Sequence, residues 1–174
     1  MSRKLMLIFS LLPFWGCKAQ IPENRPEVRE TAFDSELSSL LSFSVPLLGV
    51  KELRDSKGKY IILDAREREE YDVSHIPGAI FLGYNDYDKA LLEGLDNNKP
   101  VLLYCSVGYR SEKLGEKLQK MGFTNVYNLY GSIFEWANQG YELETNSGQA
   151  TNKIHTYNKK WSKWVQNSEF EKVW

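Results

Sequence analysis

Cysteine and histidine are scarce in this chain, whose 174 residues include only two of each. Cys17 lies in an N-terminal segment with the layout of a secretory signal, where it is either lipidated or removed, so we expect no internal disulfide. One remaining cysteine and two distant histidines do not make the ligand set of a zinc site, and we expect neither a metal nor another cofactor. Cys105 is therefore either a buried structural thiol or a nucleophile.

The chain also lacks a charge excess, an internal repeat and a long apolar run. Its formal net charge is -1, which gives no reason to expect a nucleic acid or an anionic membrane surface as the partner. Its longest apolar stretch is shorter than the ~20 residues that a bilayer-spanning helix needs. The composition is that of an ordinary globular protein, and the length favours one domain. The oligomeric state is left open.

The N-terminal residues 1–19 have the layout of a bacterial secretory signal. A basic start is followed by the apolar stretch Leu5–Trp15 and then by small residues. The end of this segment allows two interpretations. Gly16-Cys17 resembles a lipobox, in which the cysteine is acylated and tethers the protein to a membrane, whereas cleavage after Ala19 would release a soluble periplasmic protein. In either case we expect export from the cytoplasm.

The rest of the chain divides into three parts. Residues 20–32 are polar and contain proline, which is typical of a flexible linker. Residues 33–145 hold the predicted domain. Residues 146–174 form a C-terminal extension in which Trp161, Trp164 and Val165 lie at helical spacing, so we expect an amphipathic helix packed on the domain. A helix that binds a membrane surface or a partner is the alternative.

Within the domain, short apolar runs alternate with helical patterns. The predicted strands are Tyr60–Ala65, Ala79–Leu82, the run VLLYC that ends at Cys105, and the run NVYNLY. This alternation predicts an α/β fold in three layers, with a parallel central sheet and helices on both faces. Ligands of such sheets lie outside the carboxyl ends of the strands, and Cys105 is at one of those ends.

The loop after Cys105 has the composition of an anion cradle. Gly108 permits the backbone conformation in which loop amides converge, Arg110 adds a positive charge, and Ser111 can cap the helix that follows. Such surroundings lower the pKa of a cysteine from about 8.5 to between about 3.5 and 7.5. The loop therefore predicts a reactive thiolate that binds a small anion or carries a persulfide.

The chain resembles the single-domain rhodaneses in several motifs that occur in the family's order. They are Asp64-Ala65-Arg66, Glu70-Tyr71, Ser74-His75-Ile76-Pro77-Gly78-Ala79, the loop with Cys105, Gly108, Arg110 and Ser111, and Tyr130-Gly131-Ser132-Ile133-Phe134-Glu135-Trp136. Ser74 and Tyr130 each stand where the family has glycine. The resemblance covers about residues 51–143.

The resemblance implies a sulfurtransferase with Cys105 as its catalytic nucleophile. Cys105 would take sulfur from a small anionic donor such as thiosulfate and pass it to a thiol or to cyanide. The resemblance makes Ser106, Val107, Gly108, Tyr109, Arg110 and Ser111 the active-site loop, with Asp64 and Arg66 as supporting residues. The alternative from another class is a non-enzymatic module that binds a partner or carries sulfur.

Loop length bears on a related chemistry. Cysteine phosphatases, and arsenate reductases of the same fold, have one more residue between the cysteine and the arginine. Here four residues separate Cys105 from Arg110, which suits one sulfur atom better than a tetrahedral oxyanion. We therefore do not expect phosphatase activity.

The two interpretations of the signal predict different mature masses. Of the two we expect the lipoprotein, with a mature chain that begins at acylated Cys17, because glycine precedes the cysteine as in a lipobox. Intact-mass measurement of the protein from a bacterial expression host tests this. Cys17→Ser should remove the lipid. A mature chain beginning at Gln20 would support ordinary cleavage instead, and one that keeps Met1 would contradict export.

Overall fold

The computed structural model describes residues 20–56 and 58–174. The predicted signal segment, with the lipidation candidate Cys17, lies outside these residues. Within the described residues up to 151, the chain forms seven short strands and six helices. The strands are β1 Leu47–Leu48, β2 Ile61–Asp64, β3 Ile80–Phe81, β4 Val101–Tyr104, β5 Val126–Leu129, β6 Leu143–Glu144 and β7 Ala150–Thr151, and the helices are α1 Thr31–Leu40, α2 Val50–Asp55, α3 Arg68–Val73, α4 Lys89–Glu93, α5 Tyr109–Lys120 and α6 Ser132–Asn138.

The first five strands form one parallel sheet in the order β1-β5-β4-β2-β3. The sequence predicted four of these strands. The fifth, β1, has only two residues and borders the sheet through β5. Because it is so short, its apolar pattern could not be distinguished from that of a loop.

Helices cover both faces of the sheet, as predicted. Successive side chains of β4 point to opposite faces. Leu102 and Tyr104 enter a core shared with α1, α2 and α6, whereas Leu103 and the adjoining Cys105 enter a second core with α4 and α5. The α/β fold class with a covered parallel sheet is confirmed.

The carboxyl ends of β4 and β5 lead into loops that bond to each other. The amides of Ile133 and Phe134, at the start of α6, donate to the carbonyls of Cys105 and Ser106, each at 3.2 Å. The Ser132 hydroxyl accepts from the Cys105 amide at 3.2 Å. These bonds fix the start of the Cys105 loop at the edge of the sheet where a ligand site was expected.

The predicted flexible linker, residues 20–32, packs against the domain instead. Arg25 pairs with Asp34 of α1, and the Tyr130 hydroxyl donates to the same carboxylate at 2.7 Å. Arg29 donates to the Asn138 carbonyl at 2.8 Å. Tyr130, which stands where the resemblance leads one to expect glycine, supplies the hydroxyl that helps to hold this segment. Proline and polar residues predict a spacer because the long-range partners of such residues cannot be recognised from local composition.

The predicted amphipathic helix of the C-terminal extension is wrong. The extension contains β8 Lys153–His155, a 3-10 turn at Trp161–Trp164 and β9 Glu171–Val173, and β8 pairs with β9 in parallel. The helical spacing of the tryptophans arises from this single turn, because residues three apart lie above each other in a 3-10 helix. The backbone of β8 pairs with that of β9, which keeps the residues before the 3-10 turn extended.

The extension is nevertheless buried against the domain. Trp164 stacks on Phe33 of α1 with ring centroids 5.4 Å apart. Ile154 and Val165 are fully buried in the same core. Among the described residues, no helix has both the length and the apolar character required to cross a membrane.

This packing predicts that the extension stabilises the domain. Trp164→Ala should lower the free energy of unfolding by about 3 kcal/mol, because it removes a buried aromatic side chain and leaves a cavity. Trp174→Ala is the matched control, since that side chain is 59% exposed, and it should change the value by less than about 0.5 kcal/mol. Urea denaturation measures both. Equal effects of the two substitutions would contradict the packing.

Candidate active site

Cys105 lies directly after β4 and borders a cavity of about 480 Å³. Its side chain is buried, with 1% of the residue exposed. The sulfur is thus withdrawn from bulk solvent but faces a space that can hold a small molecule. The cavity is also lined by the loop residues Ser106, Val107, Tyr109 and Arg110.

Gly108 turns the loop so that its amide reaches the sulfur. Its φ of 118° lies where side chains other than glycine are strained, and its N–H donates to Cys105 Sγ at 3.1 Å. Helix α5 begins at the next residue. The loop therefore presents a backbone donor and the start of a helix to one sulfur atom.

The electrostatics of this position favour the thiolate. Burial acts to raise the pKa of Cys105. The positive charge of Arg110 and hydrogen bonds from the Ser111 and Gly108 amides outweigh burial, so the pKa lies below its ordinary value. A lowered pKa increases the fraction of nucleophilic thiolate at neutral pH.

Arg110 is tied to a carboxylate rather than directed into the cavity alone. Its Nη1 and Nη2 donate to the Glu70 carboxylate at 2.5 and 2.8 Å, and Nη2 also donates to Ser106 Oγ at 3.0 Å. This bidentate pair holds the pKa of Glu70 below its usual range despite burial. Arg110 therefore braces the loop against α3, and Glu70 balances much of its charge.

Glu70 and Asn128 are site residues that sequence reasoning missed. Glu70 belongs to one of the motifs of the resemblance, but its role depends on Ser106, which follows it by 36 residues. Ser111, predicted to cap α5, lies inside the helix instead. Gly108 occupies the cap position, and Ser111 Oγ donates to Asn128 Oδ1 at 2.7 Å. A side chain on a neighbouring strand leaves no local signal by which it could be found.

Asp64 and Arg66 form a fully buried pair at the end of β2. Arg66 Nη2 donates to Asp64 Oδ2 at 2.6 Å and to the Ser74 carbonyl at 2.7 Å. The pair joins the end of β2 to the segment after α3. Neither side chain is among the cavity-lining residues within the part of the chain that the structure describes.

The C-terminal extension contributes two further residues to the cavity. Tyr157 and Trp161 line it, and the guanidinium carbon of Arg110 lies 5.2 Å from the centroid of the Tyr157 ring. The sequence pattern predicted that Trp161 lies in a packed helix and gave no role to Tyr157. Their position depends on the β8–β9 pairing, which the sequence did not predict.

Comparisons with known proteins agree with this architecture. The chain is 33% identical over 104 residues to the putative sulfur carrier protein YrkF of Bacillus subtilis, a match that covers 58% of this chain and 56% of that protein. It is 34% identical over 80 residues to the thiosulfate sulfurtransferase GlpE of Coxiella burnetii, covering 46% of this chain and 74% of that protein. The chain thus spans little more than half the length of the first relative.

Solved structures give the same result. A crystal structure of a rhodanese-related protein from Thermoplasma volcanium superposes with a TM-score of 0.52 at 25% identity, covering 57% of this chain and 97% of that one. In a comparison of sequences with protein-family models, the model of the rhodanese-like domain matches residues 49–139, which include the Cys105 loop. The chain therefore belongs to the family of rhodanese-like domains.

Proposed function

We propose that this protein is a sulfurtransferase that moves sulfane sulfur through a persulfide on Cys105. The observation that carries the proposal is the donation from the Gly108 amide to Cys105 Sγ, at the border of the cavity. A thiol with a lowered pKa in that position is a nucleophile with access to a substrate.

In the first step, the Cys105 thiolate attacks the outer sulfur of a donor such as thiosulfate. A bond forms between Cys105 Sγ and that sulfur, the sulfur–sulfur bond of thiosulfate breaks, and sulfite leaves with the electron pair. The negative charge of the new persulfide resides on its terminal sulfur. Loop amides and the start of α5 stabilise an anion at this position.

In the second step, a thiophilic acceptor attacks the terminal sulfur. The bond to Cys105 Sγ breaks, and Cys105 leaves as a thiolate that the same hydrogen bonds stabilise. With cyanide the product is thiocyanate, and with a thiolate it is a persulfide of the acceptor. The thiolate, the form that the lowered pKa of Cys105 favours, attacks in the first step without a general base.

A non-enzymatic role as a sulfur carrier is the second candidate. The pairing of Arg110 with Glu70 favours it, since a balanced charge attracts free anionic donors weakly. A relative named as a putative sulfur carrier agrees with this alternative. In that role Cys105 would receive sulfur from a protein partner and turn over free thiosulfate slowly.

The proposal predicts that Cys105→Ser abolishes sulfur transfer. Thiosulfate:cyanide activity should fall at least about a thousandfold, because serine is not ionised at neutral pH. Incubation with thiosulfate should raise the mass of the wild-type protein, but not of the variant, by one sulfur atom. Cys17→Ser is the matched control and should keep both properties.

Two outcomes would lead to other conclusions. Activity that survives Cys105→Ser would exclude Cys105 as the nucleophile. A persulfide that forms on Cys105 but does not pass to cyanide would favour the carrier.

The charge of Arg110 predicts a change in thiol reactivity. In Arg110→Gln, the pH midpoint for alkylation of Cys105 by iodoacetamide should rise, because an opposite charge that favours the thiolate is lost. Arg54→Gln is the control, since Arg54 pairs with Asp55 and is not among the described cavity-lining residues.

Arg110→Gln also leaves the buried Glu70 carboxylate without its main partner, which can destabilise the fold. Combining it with Glu70→Gln removes the unpaired charge, and the midpoint should still lie above that of the wild type. An unchanged midpoint in both variants would contradict the role assigned to Arg110.

A further inference from the structure

Most of the cavity wall beyond Cys105 is apolar or aromatic. Its apolar and aromatic lining residues are Leu40, Val107, Tyr84, Tyr109, Tyr157 and Trp161. The volume of about 480 Å³ lies in the range of pockets that hold organic ligands of appreciable size, and such pockets are usually lined in this way. Thiosulfate and cyanide are far smaller and have no apolar part that could contact these side chains.

The cavity offers little charge to an inorganic anion. Among the described residues that line it, Arg110 is the only basic one. Both of its terminal nitrogens donate to Glu70, and the Tyr157 ring lies against its guanidinium. Glu67, which also lines the cavity, is acidic. These lining residues therefore favour an organic ligand over an inorganic anion.

The two aromatic residues from the extension are held in defined positions. Tyr157 has a φ of 64°, an uncommon conformation for a bulky residue, and its amide donates to His155 Nδ1 at 3.1 Å. Thr156, fully buried, bonds through its amide to the Val173 carbonyl at 2.7 Å. The Trp161 amide donates to Asn158 Oδ1 at 3.1 Å. Hydrogen bonds therefore fix the backbone at Thr156, Tyr157 and Trp161.

The wall that these residues form lies outside the part of the chain that matches the family. The family model ends at residue 139, whereas Tyr157 and Trp161 lie after β8, in the C-terminal extension. The thiol and its loop belong to the matched part. The extension thus adds an aromatic surface to a sulfur site that is complete in its reactive atoms without it.

We propose that Tyr157 and Trp161 determine acceptor specificity, and that the acceptor is an organic thiol with an aromatic or extended apolar group. This inference rests on the proposed function and names its second substrate. The acceptor thiolate attacks the terminal sulfur of the Cys105 persulfide, the bond to Cys105 breaks, and Cys105 leaves as a thiolate. The aromatic group of the acceptor meanwhile lies between Tyr157 and Trp161.

The test compares two acceptors of different size. Sulfur transfer from thiosulfate is measured as kcat/KM for benzyl mercaptan and for 2-mercaptoethanol. The wild type should prefer benzyl mercaptan by about tenfold or more, the range in which one apolar contact changes selectivity. Tyr157→Gly and Trp161→Ala should each reduce this preference several-fold, because kcat/KM should fall more for benzyl mercaptan than for 2-mercaptoethanol.

The variants are chosen to keep the fold intact. Glycine accepts the left-handed backbone of residue 157, so Tyr157→Gly removes the ring without adding strain. Tyr157→Phe keeps the ring and should keep the preference. Trp174→Ala is the matched control and should behave as the wild type. Trp174 is an exposed aromatic residue of the same extension and is not among the described cavity-lining residues.

A binding measurement separates this inference from the proposed function. Benzyl alcohol, an unreactive isostere of benzyl mercaptan, should bind to Cys105→Ala, and Tyr157→Gly in that background should weaken binding several-fold, as followed by NMR titration. If the wild type forms no persulfide but this binding pattern holds, the sulfurtransferase proposal fails and the aromatic subsite stands. The inference is overturned if sulfur transfer occurs with equal kcat/KM for both thiols. It is also overturned if Tyr157→Gly leaves the affinity for benzyl alcohol unchanged.

Discussion

The pair between Glu70 and Arg110 is the interaction on which the site depends most. It joins the helix after β2 to the helix after β4, and Ser106 of the loop bonds to both partners. A bidentate pair of this kind fixes both position and orientation, and breaking it inside the protein leaves a costly unpaired charge. The loop between Cys105 and Arg110 is therefore held at its far end by this pair and at its near end by bonds to the start of α6. A rigid loop can keep the Gly108 amide directed at the sulfur without reorganising during the proposed reaction.

The same pair divides two electrostatic tasks that a free arginine would combine. Arg110 still lowers the pKa of Cys105, because its charge acts over the short distance between neighbouring residues of one loop. Its attraction for distant anions is reduced, because Glu70 places an opposite charge beside it and the field of a paired ion falls off quickly. Activation of the thiol and recruitment of an anionic substrate are thus separable properties. The Glu70–Arg110 pair retains the first and weakens the second. The apolar cavity wall around the thiol suits a ligand that binds through apolar contacts.

Sequence patterns predicted the parts of this fold that depend on local physics. Buried strands such as β2 and β4 appear as apolar runs, and a cysteine at the end of one of them lies at the ligand-binding edge of the sheet. The cradle at Gly108 could likewise be inferred from its residue types. Glu70, Tyr157 and Trp161 could not, because their roles depend on partners distant in sequence. The prediction for the extension is wrong for a related reason. Three apolar residues at helical spacing fit one 3-10 turn as well as a long helix, and only the pairing of β8 with β9 decides between them.

Segments on both sides of the family-matched region act on one helix, α1, and through it on the site. Arg25 and Tyr130 hold Asp34 in its first turn, and Trp164 stacks on Phe33 of the same helix. At its end α1 supplies Leu40 to the cavity, and the following amides of Ser42 and Ser44 donate to the buried carboxylate of Glu112 in α5. Since α5 also begins at the Cys105 loop, α1 is fixed to the element that carries the site. A cavity wall built from α1 and the extension is thus fixed to the core to which both are bonded, as the proposed selection of an acceptor by shape requires.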